Sequence, residues 1–243
     1  MKRICIDPGH GGADSGATGY GLKEKERNLA IALELKPMLG VMGHEVVMTR
    51  ETDKRLGITA TADLKARARK SVQSKADVFL SIHHDAGGQR GVHGFFYNEH
   101  CPNGGHLAGQ VATEIAREWD VRFSYDKAAS PHWNKLGVFR FSENWRWVTC
   151  ALVECLFMSS KADTDIMRRA DYARRTAFAI ARGIQAHIRH EWPEDETPPP
   201  VEPALPDTPA GPRYFLLPED VELKVVNSVD DAPPGKVFLR RLA

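Results

Sequence analysis

Residues 77–82 (DVFLSI) and 149–157 (TCALVECLF) are apolar almost without interruption. A strand with one wet face alternates; a strand covered on both faces does not. Continuous runs of this kind belong to a parallel sheet with helices on each side. Residues 3–6 read as a further strand. Between these runs the apolar residues fall at helical spacing. Leu29, Leu33, Leu35, Met38 and Leu39 form one such face, Leu64, Ala68 and Val72 a second. Ile166, Ala170, Ala173, Ala177, Ile180 and Ile184 form a third. Strands alternating with helices predict an α/β fold with a mainly parallel sheet.

The remaining elements follow from punctuation. A helix opens at Glu24 and meets Pro37, which predicts a kink or an early stop. Residues 44–49 (HEVVMT) read as a strand. Thr61 or Asp63 caps a helix running to about Ser74. Residues 91–97 (GVHGFFY) read as a strand at a sheet edge and 107–119 as a helix. Residues 120–136 read as irregular and 138–140 as a short strand. Ser160 or Asp163 caps one long helix to about Ile188.

A chain of 243 residues accommodates one sizeable domain and an appendage. The domain is expected over residues 1–190. Residues 191–212 read as a linker, since residues 193–212 hold eight of the 15 prolines. Residues 213–243 have strand-like runs but are too short to build much of a core. The net charge of +1, from 33 basic and 32 acidic residues, argues against a nucleic-acid binder working by bulk electrostatics. The four cysteines contain no CxxC pair and read as small buried hydrophobes of a reducing compartment. The first residues enter a strand directly, without the pattern of a signal peptide. No apolar run approaches the roughly 20 residues of a membrane span. The expectation is a monomer made in the cytoplasm.

Four polar residues stand where the sheet should present them. His10 follows the first strand, inside the glycine-rich turn of IDPGHGG. Glu24 opens the first helix, His83 follows DVFLSI, and Glu154 interrupts the last apolar strand. Two His and a carboxylate form a catalytic zinc set with a position left for water. A carboxylate outside that set can take and return the proton, and an acid in an apolar strand is costly unless paired or functional. Each residue also has a plainer reading. His10 can be a turn residue, Glu24 competes with Glu26 and Glu34, and Glu154 can be half of a structural ion pair. His84 points to the side opposite His83.

Five stretches, IDPGHGGADSGA (6–17), EKERNLAIALELK (24–36), GHEVVMTRETD (43–53), ADVFLSIHHDA (76–86) and ALVECLFMSS (151–160), resemble the zinc-dependent N-acetylmuramoyl-L-alanine amidases of the type-3 class, found in autolysins and phage endolysins. They keep the family's order across nearly all of residues 1–190. The resemblance implies a twisted central sheet flanked by helices. It implies His10, Glu24 and His83 as zinc ligands, Glu154 as catalytic acid/base and peptidoglycan as substrate. It implies hydrolysis, by zinc-activated water, of the amide between N-acetylmuramic acid and L-alanine of the stem peptide.

Two departures stand out. His84 and Asp85 replace a small residue and Asn, and Cys155-Leu156-Phe157 replaces the usual Gly after the strand glutamate. Arg140, in a segment similar to the family's VLR, and His84 are candidate substrate contacts. A wall-degrading enzyme without an export signal fits an endolysin held inside until holin-type release. The alternatives are another zinc amidohydrolase or peptidase, or a non-catalytic wall-binding module.

Overall fold

The computed structural model describes residues 1–96, 103–127, 137–141 and 148–190. The chain divides into two units, residues 1–204 and 205–243, and every described residue belongs to the first. The linker and tail expected over 191–243 lie outside the described residues.

Eight strands and five α-helices occur in the described residues. They are β1 (Arg3–Pro8), β2 (Thr18–Gly19), β3 (Leu22–Lys23), α1 (Glu24–Val41), β4 (Glu45–Met48), α2 (Ala60–Gln73), β5 (Val78–Asp85) and β6 (Val92–Phe96). There follow α3 (Gly104–Trp119), β7 (Phe123–Lys127), a 3-10 helix (Gly137–Phe141), β8 (Thr149–Phe157), α4 (Lys161–Met167) and α5 (Tyr172–Arg189). The main sheet has the order β4-β1-β5-β8-β6-β7. The first four strands run parallel; β6 pairs antiparallel with β8 and parallel with β7.

Side chains alternate across this sheet, and the alternation sorts every residue that matters. Ile4, Ile6, Val78, Leu80, Ile82, Ala151 and Val153 enter the core shared with α1, α3 and α5. Cys5, Phe79, Cys150, Leu152 and Phe95 enter the opposite core with Ala68 of α2 and with Val138 and Phe139 of the 3-10 helix. The mainly parallel α/β architecture is therefore the one expected.

Several details differ. Helix α1 continues through Pro37; the proline removes one hydrogen bond, to the carbonyl of Leu33, whose side chain is 43% exposed. The face of α1 that meets the core is Ile31, Ala32, Leu35 and Leu39, and Leu33 faces solvent. Strand β6 lies inside the sheet and β7 forms the edge, in a stretch expected to be irregular. Residues 138–140 wind into the 3-10 helix. The single long helix is two: Ser160 caps α4, and α5 restarts at Tyr172, so Ala170 lies exposed in the break. Thr59, not Thr61 or Asp63, caps α2. Cys5 and Cys155 are free and buried, but Cys150 is disulfide-bonded, which corrects the reading of four thiols.

Two buried arginines hold the turn after β1. Arg50 donates from Nε to the Pro8 carbonyl (2.9 Å) and from Nη2 to those of Gly9 and Lys25 (2.9 Å each). Arg67 donates to the carbonyls of Pro8 and His10 (2.8 Å each), to Asp7 Oδ1 (2.8 Å) and to Asp63 Oδ2 (2.6 Å). Asp7 also accepts from the hydroxyls of Thr49 and Ser81. Burial alone would raise the Asp7 pKa; the Arg67 charge and the two hydroxyls outweigh it and hold the pKa below the usual value.

Arg67→Met leaves Asp7 buried and unpaired. It is expected to cost about 3–5 kcal/mol in urea unfolding. Because the folded-state pKa of Asp7 is depressed, its contribution is full above about pH 4 and is lost as the pH falls further. An Asp7→Asn variant should lack that part of the acid dependence.

Candidate metal centre

The parallel strands β1, β5 and β8 carry their functional residues at or near their carboxyl ends, where α/β sheets present ligands. Gly9 N–H donates to the Ile82 carbonyl (3.0 Å), which seats the turn beside β5. His10 then adopts a left-handed backbone (φ 60°), an uncommon conformation for a non-glycine residue. The neighbouring glycines are required by space. A Cβ on Gly9 would lie 2.2 Å from His83 Cε1, and one on Gly16 would lie 2.4 Å from Glu24 Oε2.

Within this cradle His10, Glu24 and His83 converge, each offering a ligand atom within 4.8 Å of the others. His10 Nε2 lies 3.1 Å from Glu24 Oε2, and His83 Nδ1 lies 2.9 Å from Glu24 Oε1. Two ligands at about 2.0–2.1 Å on one tetrahedral ion stand about 3.3 Å apart, so these spacings fit a shared metal. The donor set, two imidazoles and one carboxylate, fits zinc. Asp14 Oδ2 lies 3.0 Å from His10 Nδ1, the outer carboxylate that commonly orients a ligating imidazole.

Glu24 is 3% exposed. Its Oε2 accepts from Ala17 N–H (2.7 Å), and its Oε1 from Asn28 Nδ2 (3.2 Å) and His84 N–H (3.1 Å). Burial would raise its pKa, but the bonds from His10 and His83 outweigh burial and hold it far below the carboxylate range. The first turn of α1 adds the helix dipole in the same direction. Burial lowers the pKa of His10, yet Glu24 and then Asp14 carry it above its ordinary value. A proton therefore competes with a metal at His10 to a higher pH than at an isolated imidazole.

Glu154 pairs in register with His83 across β5 and β8, and with His93 across β8 and β6. Its Oε2 is closed off from solvent and has no hydrogen-bond partner among the described residues. Burial first, then the charges of Glu24 and Asp85, push its pKa well above the usual carboxylate value. A carboxyl so raised suits proton transfer near neutral pH, and a buried polar atom left unbonded in this position has a reason to be there.

His84 corrects an expectation. It shares the parity of Leu80 and Ile82, so it enters the core under α1 and α5 and is 1% exposed. Both ring nitrogens are occupied within that core, Nδ1 by Asn28 Oδ1 and Nε2 by the Tyr172 hydroxyl (2.7 Å each). It therefore cannot touch a substrate. Burial drops its pKa to about 3, which keeps the ring neutral. Arg140 lies in the 3-10 helix, and its side chain is outside the described ones.

Sequence reasoning did not single out Asn28, Asp14, Arg50, Arg67 or Tyr172. Asn28 had a signal: it stands four residues after Glu24, on the same helical face.

The N-acetylmuramoyl-L-alanine amidase family model matches residues 4–186. The chain belongs to that family. It is 32% identical to the N-acetylmuramoyl-L-alanine amidase LytC of Bacillus subtilis over 77% of this chain but only 36% of that protein. It is 29% identical to the endolysin of Bacillus phage SPP1, over 75% of this chain and 65% of that one. It thus spans about a third of LytC and about two thirds of the phage protein. The solved amidase AmiC2 of Nostoc punctiforme is 29% identical with a TM-score of 0.65, covering 78% of this chain and 98% of that one.

Gly9→Ala drives a methyl into the His83 ring without touching the main core. Zinc affinity of the chelated and reloaded protein is expected to fall at least about tenfold, while the urea midpoint moves little.

Proposed function

We propose that this chain hydrolyses the amide between the lactyl group of N-acetylmuramic acid and the first L-alanine of the stem peptide. In this reading His10, Glu24 and His83 hold a zinc ion and Glu154 moves the proton. The observation that carries it is the convergence of those three donors beside Glu154, whose Oε2 is closed to solvent and unbonded among the described residues. Membership of the amidase family names the bond.

A zinc ion at this site supplies a water of lowered pKa and polarises the scissile carbonyl. Glu154, across the strand from His83, takes the proton of the attacking water and returns it to the leaving amine. Asp14 holds His10 in the tautomer that directs Nε2 to the site. Glu24, fixed by Ala17, Asn28 and the His84 amide, keeps its carboxylate ionised without reorganising. The catalytic unit is residues 1–190, with 191–212 as a linker and 213–243 as a small segment for wall binding or docking. The likeness to an endolysin and to a wall amidase supports action on the cell wall, as a phage endolysin or an autolysin. No helix among the described residues is long and apolar enough to cross a membrane.

Purified peptidoglycan is the test. The native chain should release stem-peptide amino termini without reducing sugars, and reducing sugars in their place would refute the reading. Glu154→Gln should keep zinc and lose the rate by about a hundredfold or more; loss of zinc in that variant would give Glu154 a different role.

A further inference from the structure

Behind the metal centre a run of hydrogen bonds crosses three elements with only one arrangement of its protons. Asn28 Nδ2 donates to the Gly9 carbonyl and to Glu24 Oε1, at 3.2 Å each. Both partners are acceptors, so the Asn28 amide cannot be turned over, and its Oδ1 must be the atom facing His84 Nδ1. His84 Nδ1 therefore carries the proton. In an imidazole with its one proton on Nδ1, Nε2 is the acceptor, and the group 2.7 Å from it, the Tyr172 hydroxyl, is its donor. Donation thus runs in one direction, from Tyr172 of α5 through His84 of β5 and Asn28 of α1 to Glu24.

Every member is closed to solvent: Tyr172 and His84 are 1% exposed, Asn28 0% and Glu24 3%. Water cannot replace a missing partner there, so each bond constrains the next. The origin of the run is equally fixed. Tyr172 is the first residue of α5, immediately after the break that ends α4, and its ring packs 5.4 Å from that of Trp119 in α3. His84 contributes twice, since its backbone N–H also donates to Glu24 Oε1.

We propose that Tyr172, acting through His84 and Asn28, is a positioning residue for Glu24, so that docking of the start of α5 sets how tightly the site holds its metal. This rests on Glu24 as a metal ligand. A role in packing alone would stabilise the fold without touching metal affinity, and the two separate experimentally.

The experiment measures zinc affinity of the full chain by competition with a chelator, beside the melting temperature of each chelated protein. Tyr172→Phe keeps the ring and removes only the hydroxyl. It is expected to weaken zinc binding about tenfold, as loss of an outer-shell partner does. Asn28→Ala should weaken it at least as much, and adding Tyr172→Phe to Asn28→Ala should cost less than it does in the native chain, because only the His84 backbone bond then links the run to Glu24. Zinc affinity within twofold of native in Tyr172→Phe, whatever its melting temperature, overturns the proposal. So do effects that multiply in the double variant. Imidazole 15N shifts of the chelated native protein should place the His84 proton on Nδ1; a proton on Nε2 overturns it independently. If the native chain binds no zinc at all, the proposed function falls together with this inference. Zinc bound normally by Tyr172→Phe removes this inference alone.

Discussion

One buried carboxylate ties the fold to its site. Glu24 stands at the junction of the β1 turn, helix α1 and strand β5, and it receives a bond from each: His10 from the turn, Asn28 from its own helix, His83 and the His84 amide from the strand. An ionised carboxylate out of water is tolerated only when its oxygens are fully bonded. Moving any one of the three elements would leave that charge short of partners. The position of the donors is thus enforced by electrostatic necessity as well as by packing.

The turn that carries His10 meets the same demand with opposite sign. Its carbonyls at Pro8, Gly9 and His10 point inward, away from water, and Arg50 and Arg67 supply the donors. Arg67 reaches them only because Asp7 and Asp63 compensate its charge. A glycine-rich turn has little intrinsic rigidity. Here it gains it from guanidinium groups, whose planar forks bond several carbonyls at once. The left-handed His10 is held by this frame, and its ring is left free to face Glu24.

How much of this was legible depends on the kind of signal. The sheet was legible because uninterrupted apolar strands have few other destinations. The converging His10, Glu24 and His83 stood out because each is polar where the pattern expects a turn, a helix start or a strand end. Glu154 stood out as the one charge in its strand. His84 was half legible. Period-two alternation separates it from His83, but which of the two enters the core depends on the partners waiting there, Asn28 and Tyr172, and those come from distant elements. The break between α4 and α5 escaped notice because apolar spacing runs straight across it, through Ala170. The arginines escaped notice because long cations in loops and helices ordinarily read as surface, and only the turn they serve makes burial affordable.

The two faces of the sheet divide the work. His83, Glu154 and His93 lie in register on the face shared with Phe79, Leu152 and Phe95, and they rise beyond the apolar layer near the strand ends. His84, one residue on, enters the opposite layer and bonds outward to α1 and α5. One dipeptide therefore connects the face that carries the candidate site to the structural core. The choice of side chain matters: a small residue at 84 would leave Asn28 Oδ1 and the Tyr172 hydroxyl without this partner, whereas the imidazole joins them through a rigid ring. The imidazole thereby links the candidate metal site across the sheet to a helix more than 80 residues away in sequence.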